Sequence, residues 1–147
     1  MKLALKASTA VLLAVVVVAC GSDNPMQPGG NAAGSYHATE FVTTGAGGQT
    51  NQLLAGSTVS LQLLASGATT GHLHLVASAS NPALDADLAG TWSQTGNTVT
   101  LSQSADTFIS DLTFTVVPSG NSWQLVADHV ILGTRIQLTL SQDIGII

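Results

Sequence analysis

Apolar and polar residues alternate through most of the chain downstream of Gly34, and this two-residue period is typical of strands with one buried face. The clearest example runs from Leu88 to Gln103, where two alternating runs meet at Gly96-Asn97, a pair that favours a tight turn. This segment is therefore predicted to be a β-hairpin. Similar runs lie on both sides of it, and the apolar residues predicted to face inward are Val59, Leu61, Leu63, Leu73, Leu75, Trp92, Val99, Leu101, Leu112, Phe114, Val116, Trp123, Leu125, Ile136, Leu138 and Leu140.

About eight strands with short connections are predicted over residues 34–147, which is enough chain for one domain with one core. At this number of strands an antiparallel meander can close on itself and leave no free edge. We therefore predict an all-β fold, a small antiparallel up-and-down barrel of about eight strands. A β-sandwich is the alternative, because alternation does not show whether the first and last strands pair.

Three segments depart from this simple pattern. In the first predicted strand, around residues 36–42, Glu40 lies on the same face as Tyr36 and Val42, whereas Phe41 lies on the opposite face. Residues 51–55 and 104–109 are predicted to be short helical turns between strands.

The first 19 residues have the pattern of an export signal. Lys2 and Lys6 precede an apolar run that ends at Ala19, and this run is shorter than the roughly 20 residues that span a bilayer. Residues 1–19 are therefore predicted to be a signal peptide, and residues 20–33, which lack apolar periodicity, a flexible tether.

Cys20 is the only cysteine in the chain, and it follows Ala19 directly and precedes Gly21. This segment resembles the lipobox of bacterial lipoproteins, which implies cleavage before Cys20 and acylation of its thiol and its new amine. Several acyl chains give a stable membrane anchor. Glycine rather than aspartate after the cysteine implies sorting to the outer membrane, with the face of that membrane left open.

Removal of the signal would leave Arg135 as the only Lys or Arg, against all eight acidic residues, and a formal charge of −7. Nucleic-acid binding is excluded by this balance, since a protein that neutralises phosphates needs several basic side chains. The same balance argues against electrostatic attraction to anionic lipid headgroups.

No catalytic motif is found in the sequence, and we expect a protein that is not an enzyme and carries no cofactor. A Gly-x-Ser-x-Gly nucleophile elbow is absent. Asp128 and His129 are adjacent on a predicted strand, so their side chains point to opposite faces and cannot act as an oriented pair.

His72 and His74 are two residues apart on a predicted strand, so both rings project from one face with their Cα atoms about 7 Å apart. If the connection at Asn81-Pro82 is a hairpin, Asp87 lies diagonally opposite His74 on that face. Two imidazoles and a carboxylate could bind zinc or copper. Two ordinary surface histidines are the alternative interpretation.

Short segments around Gly90-Thr-Trp92, Thr98-Val-Thr-Leu101 and the last predicted strand resemble lipocalin-like bacterial lipoproteins. Gly34-Ser-Tyr36 and Gly90-Thr-Trp92 are each similar to the Gly-x-Trp signature of lipocalins. The resemblance implies an eight-stranded barrel with a mouth for a small apolar ligand, and no activity. Trp92, Trp123 and Tyr36 are therefore the candidate ligand-binding residues, with core packing as the alternative for the two tryptophans. The arginine on the last strand, Arg135, is predicted to point outward.

These observations lead to a first functional hypothesis, an outer-membrane-anchored lipoprotein with a non-catalytic barrel that binds a small apolar ligand. The second hypothesis is a structural or protein-interaction lipoprotein of the envelope with a filled barrel. A third is metal binding through His72 and His74. The sequence identifies neither the ligand nor a protein partner.

Overall fold

A computed structural model of the chain describes residues 31–79 and 81–145. The predicted signal peptide, Cys20 and most of the predicted tether lie outside these residues. The described strands are β1 (Gly34–Gly45), β2 (Gly48–Asn51), β3 (Thr58–Leu63), β4 (Ala68–Leu75), β5 (Leu84–Asp87), β6 (Gly90–Thr95), β7 (Thr98–Gln103), β8 (Thr113–Ser119), β9 (Ser122–Ile131) and β10 (Thr134–Gln142), with one 3₁₀ helix at Phe108–Asp111.

The first and last strands pair with each other and close the sheet. β1 and β10 are antiparallel from Tyr36 opposite Gln142 to Thr44 opposite Arg135. Around the ring the order is β1, β3, β4, β6, β7, β8, β9 and β10, with every pair antiparallel. The predicted eight-stranded barrel is confirmed, and the β-sandwich alternative is wrong because closure leaves one continuous sheet.

Two short strands are added to the ring. β2 turns back and pairs with the end of β1. β5 pairs with the second half of β4, from His72 to Leu75, whereas β6 pairs with Ala68 and Thr69 at the start of β4. The predicted hairpin is confirmed as β6 and β7, with Trp92 opposite Leu101. Its turn includes Gly96 at φ 59°, a left-handed conformation in which glycine has no steric penalty.

The first strand differs from its prediction because it contains an irregularity. The register with β10 shifts between Ala38 and Glu40, so one extra residue lies in β1. Such a bulge exchanges the two faces of the strand beyond it. Phe41, predicted to lie on the face opposite Tyr36, is consequently buried together with it.

The barrel interior is filled by side chains. All the predicted inward positions are buried except Leu75 and Trp92, which are half-buried and pack against the core. Tyr36, Phe41, Leu88 and Ile109 complete the set of large buried residues. Each buried aliphatic or aromatic side chain contributes about 1.5–3 kcal/mol, so one core of this size supports the fold without a disulfide.

The connections between strands form two ends of the barrel, which we call the lower and upper ends. The lower end contains residues 31–33 and the turns at 64–67, 96–97 and 120–121. The upper end contains residues 52–57, 76–79, 81–83, 104–112 and 132–133.

Both predicted helical turns lie at the upper end. Residues 108–111 form the 3₁₀ helix, which confirms a helical connection within the longer segment between β7 and β8. Residues 51–55 form one turn, closed by a hydrogen bond from the Ala55 N–H to the Asn51 carbonyl. Within the described part of the chain, no helix is long and apolar enough to cross a bilayer.

Candidate functional site

The lower end is closed by the residues that precede β1. Ala32 is fully buried, and the hydroxyl of Tyr36 donates to its carbonyl oxygen at 2.6 Å. The N–H of Ala32 donates to Oε1 of Gln94 at 2.9 Å, so Ala32, two residues before β1, is packed against the barrel. Burial raises the pKa of Tyr36 to about 12, because the charged phenolate would lose its hydration.

Trp92 borders an open groove of about 480 Å³ at this lower end, beside Asn31, Ser66 and Gln94. Its ring is half-buried, and Nε1 donates to the carbonyl of Leu64 at 2.8 Å. Trp123 is only 7% exposed and belongs to the core. The two tryptophans and Tyr36 thus contribute to packing, and the groove beside Trp92 is wide and open, with both polar and apolar lining residues.

A smaller and more enclosed cleft lies at the upper end, with a volume of about 160 Å³. Its walls combine apolar and polar side chains. The apolar lining residues are Phe41, Leu75, Val76, Pro82, Phe108 and Ile136, and the polar ones are Thr43, Gln52, Ser78, Asn81 and Thr134. The rings of Phe41 and Phe108 are stacked with centroids 5.7 Å apart. Below this cleft the barrel is filled, so the cleft is a shallow, partly apolar site rather than the mouth of a long cavity.

Sequence reasoning missed this cleft because neither phenylalanine follows the alternation. Phe41 faces inward only because of the bulge in β1, and Phe108 belongs to the 3₁₀ helix. A signal for the bulge was nevertheless present, since Glu40 on an otherwise apolar face is the kind of conflict that a shifted register removes.

A second cluster lies on the outer face of the sheet, where β4 pairs with β5. His72 is directly opposite Asp87 and His74 is directly opposite Asp85, which places Asp87 diagonally from His74 as predicted. Asp85 was not among the candidate ligands, although the same register brings it between the two rings. We call these four side chains the histidine–aspartate array.

The array is held together by hydrogen bonds. His72 contacts Asp87 through Nδ1 at 3.1 Å and Asp85 through Nε2 at 3.2 Å. Nδ1 of His74 lies 2.7 Å from the same Asp85 oxygen. All four side chains are substantially exposed to solvent.

These contacts shift the pKa values of His72 and Asp85. Hydrogen bonds to Asp87 and then to Asp85 raise the pKa of His72 above 6.5, its ordinary value. Hydrogen bonds from His74 and then from His72 lower the pKa of Asp85. The side chains of Thr58 and Ser60 lie opposite the two histidines on β3 and carry no charge, so the carboxylates dominate the field.

The contacts of the array are hydrogen bonds between imidazole rings and carboxylates. Among residues 31–79 and 81–145, no group of three or more His, Cys, Asp or Glu is arranged to hold a metal ion. Zinc or copper binding by His72, His74 and Asp87 therefore stays a prediction from their spacing. Loss of metal affinity in His74→Ala would be its direct consequence.

The remaining charged contacts also lie on the outer surface. Arg135 points outward as predicted and binds Asp128 with two hydrogen bonds, of 2.8 and 2.5 Å. It is opposite Thr44 and therefore far along β1 from Tyr36. His37 contacts Asp143 at 2.5 Å, which fastens the end of β10 to β1.

No family model matches this sequence, and no curated protein is significantly similar to it.

Proposed function

We propose that this chain is a lipid-anchored protein of the bacterial outer membrane, acylated on Cys20, with a lipocalin-like barrel that binds an apolar group without catalysing a reaction. The observation that carries the binding proposal is the apolar cleft above a filled interior. Binding is thus assigned to the upper end, and not to a cavity beside Trp92 or Trp123.

The size of the cleft decides what kind of group it accepts. A cavity of about 150 Å³ lined by apolar side chains can bind benzene, whereas sites for drug-sized ligands have about 300–1,000 Å³. At about 160 Å³, the cleft has room for one aromatic ring or branched side chain. This favours recognition of a single apolar group over transport of a large lipophilic molecule.

The anchoring part of the proposal is tested by the mass of the mature protein. The full chain, produced in a bacterium that processes lipoproteins, should lose residues 1–19 and gain acyl chains on Cys20. Cys20→Ser should carry no acyl chains. It should either lie outside the membrane fraction or keep its signal peptide. An unacylated wild-type protein would contradict this part of the proposal.

The binding part is tested with toluene as the probe and the full-length protein in phosphatidylcholine nanodiscs. Val76→Trp places a large side chain in the cleft and should abolish saturable toluene binding. Val117→Trp adds the same ring to an exposed position on β8 and should leave binding unchanged. Equal toluene affinity in both variants would contradict binding at the cleft.

A further inference from the structure

We infer that the upper end docks a segment of another protein in which one large apolar side chain lies between basic residues. This rests on the proposed function, because the apolar side chain would occupy the cleft assigned there. We call the cleft together with Asp106, Asp111 and Leu132 the docking surface.

The cleft provides the anchor point of this surface. Phe41 and Phe108 form an aromatic wall. Leu75 and Ile136 add apolar surface beside polar lining residues such as Gln52, around space for about one side chain. Protein interfaces gain most of their affinity from a few such side chains, buried in pockets near the centre of the contact. The volume of the cleft therefore matches a peptide anchor.

Two aspartates flank Phe108 along the chain. Asp106 is two residues before Phe108, and Asp111 ends the same 3₁₀ helix, about 6 Å further along its axis. Both aspartates are exposed. Arg135 is the only Lys or Arg among the residues described, and Asp128 already binds it. The chain segment that carries Phe108 is consequently negative, and it complements a basic peptide.

Leu132 supplies a second apolar contact for the partner, and its conformation lowers the stability of the isolated barrel. It lies in the turn between β9 and β10, and the first residues of β10, Thr134 and Ile136, line the cleft. Its φ of 48° is a left-handed conformation that disfavours leucine, and its side chain is fully exposed. An exposed leucine in a strained turn is unfavourable for the isolated barrel, which points to a role in contact with a partner.

Charge distinguishes a basic peptide from a membrane as the occupant. An anionic bilayer surface would be repelled by Asp106 and Asp111, and the described residues provide no free basic side chain for its headgroups. A peptide with lysines beside an aromatic residue would place its ring in the cleft and pair its lysines with Asp106 and Asp111.

The test compares three short peptides that differ only at their centre, with sequences Ser-Lys-Phe-Lys-Ser, Ser-Lys-Ala-Lys-Ser and Ser-Glu-Phe-Glu-Ser. Each is titrated against the full-length protein in phosphatidylcholine nanodiscs, with empty nanodiscs as the blank. The Lys-Phe-Lys peptide should bind most tightly, with an affinity that falls as salt increases. Equal binding of all three peptides, or none, would overturn the inference.

Leu132→Asn is the most informative variant because its two effects have opposite signs. Asparagine tolerates the left-handed conformation, so the melting temperature should rise while the Lys-Phe-Lys peptide binds about fivefold more weakly. Val117→Asn, which removes an exposed valine elsewhere, should leave peptide affinity unchanged. Unchanged peptide affinity in Leu132→Asn would exclude this residue from the docking surface.

The outcomes also separate this inference from the proposed function. If toluene binds at the cleft and the Lys-Phe-Lys peptide does not, the apolar site stands and the inferred partner is wrong. If neither binds, the binding part of the proposed function fails as well. If Leu132→Asn weakens binding of the barrel to vesicles but leaves peptide binding unchanged, the surface contacts a membrane and the inference is overturned.

Discussion

Tyr36 both fills the core and holds Ala32, in the short segment before β1. Its ring is buried and its hydroxyl holds the carbonyl of Ala32, so the residues before β1 are joined to the lower end of the barrel. A short hydrogen bond to a buried backbone carbonyl contributes about 0.5–1.5 kcal/mol. The role assigned to Tyr36 by geometry is thus structural.

Titration of the single tyrosine tests this arrangement, since absorbance at 295 nm reports Tyr36 alone. The folded protein should ionise Tyr36 at a pKa of about 12, and the unfolded protein close to 10. Because the folded pKa is the higher, this residue's contribution to stability should be present below pH 10 and lost as the pH rises towards 12. Ionisation near pH 10 in the folded protein would show that the ring is accessible.

His72 gives a second prediction at the same scale. Asp87→Asn removes the largest cause of its raised pKa, so the pKa of His72 should fall towards 6.5 in an NMR titration of the ring protons. Asp143→Asn alters the remote contact with His37 and serves as the control. An unchanged His72 pKa in Asp87→Asn would mean that the array does not form in solution.

The contribution of the same array to folding stability depends on pH. The contribution of His72 is present below pH 6.5 and is lost as the pH rises through its raised pKa. The contribution of Asp85 is present above its ordinary pKa of 3.8 and is lost as the pH falls through its lowered pKa. The attachment of β5 to β4 should accordingly be strongest between these limits, with a small amplitude because the groups are exposed.

At the scale of elements, the turn between β9 and β10 contains the one non-glycine residue with a positive φ in the described part of the chain. Leu132 and Gly133 both have positive φ, at 48° and 81°, which is the pattern of a turn that prefers Asn-Gly. Leu132→Asn should therefore raise the free energy of unfolding by about 1 kcal/mol, measured by urea denaturation. A decrease would mean that the leucine side chain stabilises the barrel through contacts at the upper end.

Strands were predictable from sequence where each residue alternates between core and solvent, as along β3, β7 and β10. The position of Asp87 relative to His74 was also predictable, because strand period and a hairpin together fix which residues share a face. The cleft was not, since it depends on a bulge near Glu40 and on a 3₁₀ helix, neither of which has a periodic signature.

At the scale of the whole molecule, the closed sheet and its packed interior together determine where a ligand can bind. The pairing of β1 with β10 removes the sheet edges, and the ring is narrow enough for its inward side chains to meet. Ligand binding inside such a ring would require displacing core residues. The ends of the barrel are therefore where a ligand can approach, and the upper one offers the more apolar and enclosed site.

The filled interior predicts a high cost for removing a central ring. Phe114 is fully buried on β8, and Phe114→Ala should lower the free energy of unfolding by about 3–5 kcal/mol. Val117→Ala, on the exposed face of the same strand, should change it by less than about 0.5 kcal/mol. Similar small effects for both variants in chemical denaturation would show that the interior is not packed as described.

The central claim, that an apolar group binds above a filled interior, is tested most directly by the methyl groups that respond to toluene. In the full-length protein in nanodiscs, carbon-13 methyl resonances of Leu75, Val76 and Ile136 should shift on titration, because these residues line the cleft. Those of Leu61 and Leu125, which are deep in the core, should not move. Shifts confined to the deep core would contradict the account, since they would place the ligand inside the barrel.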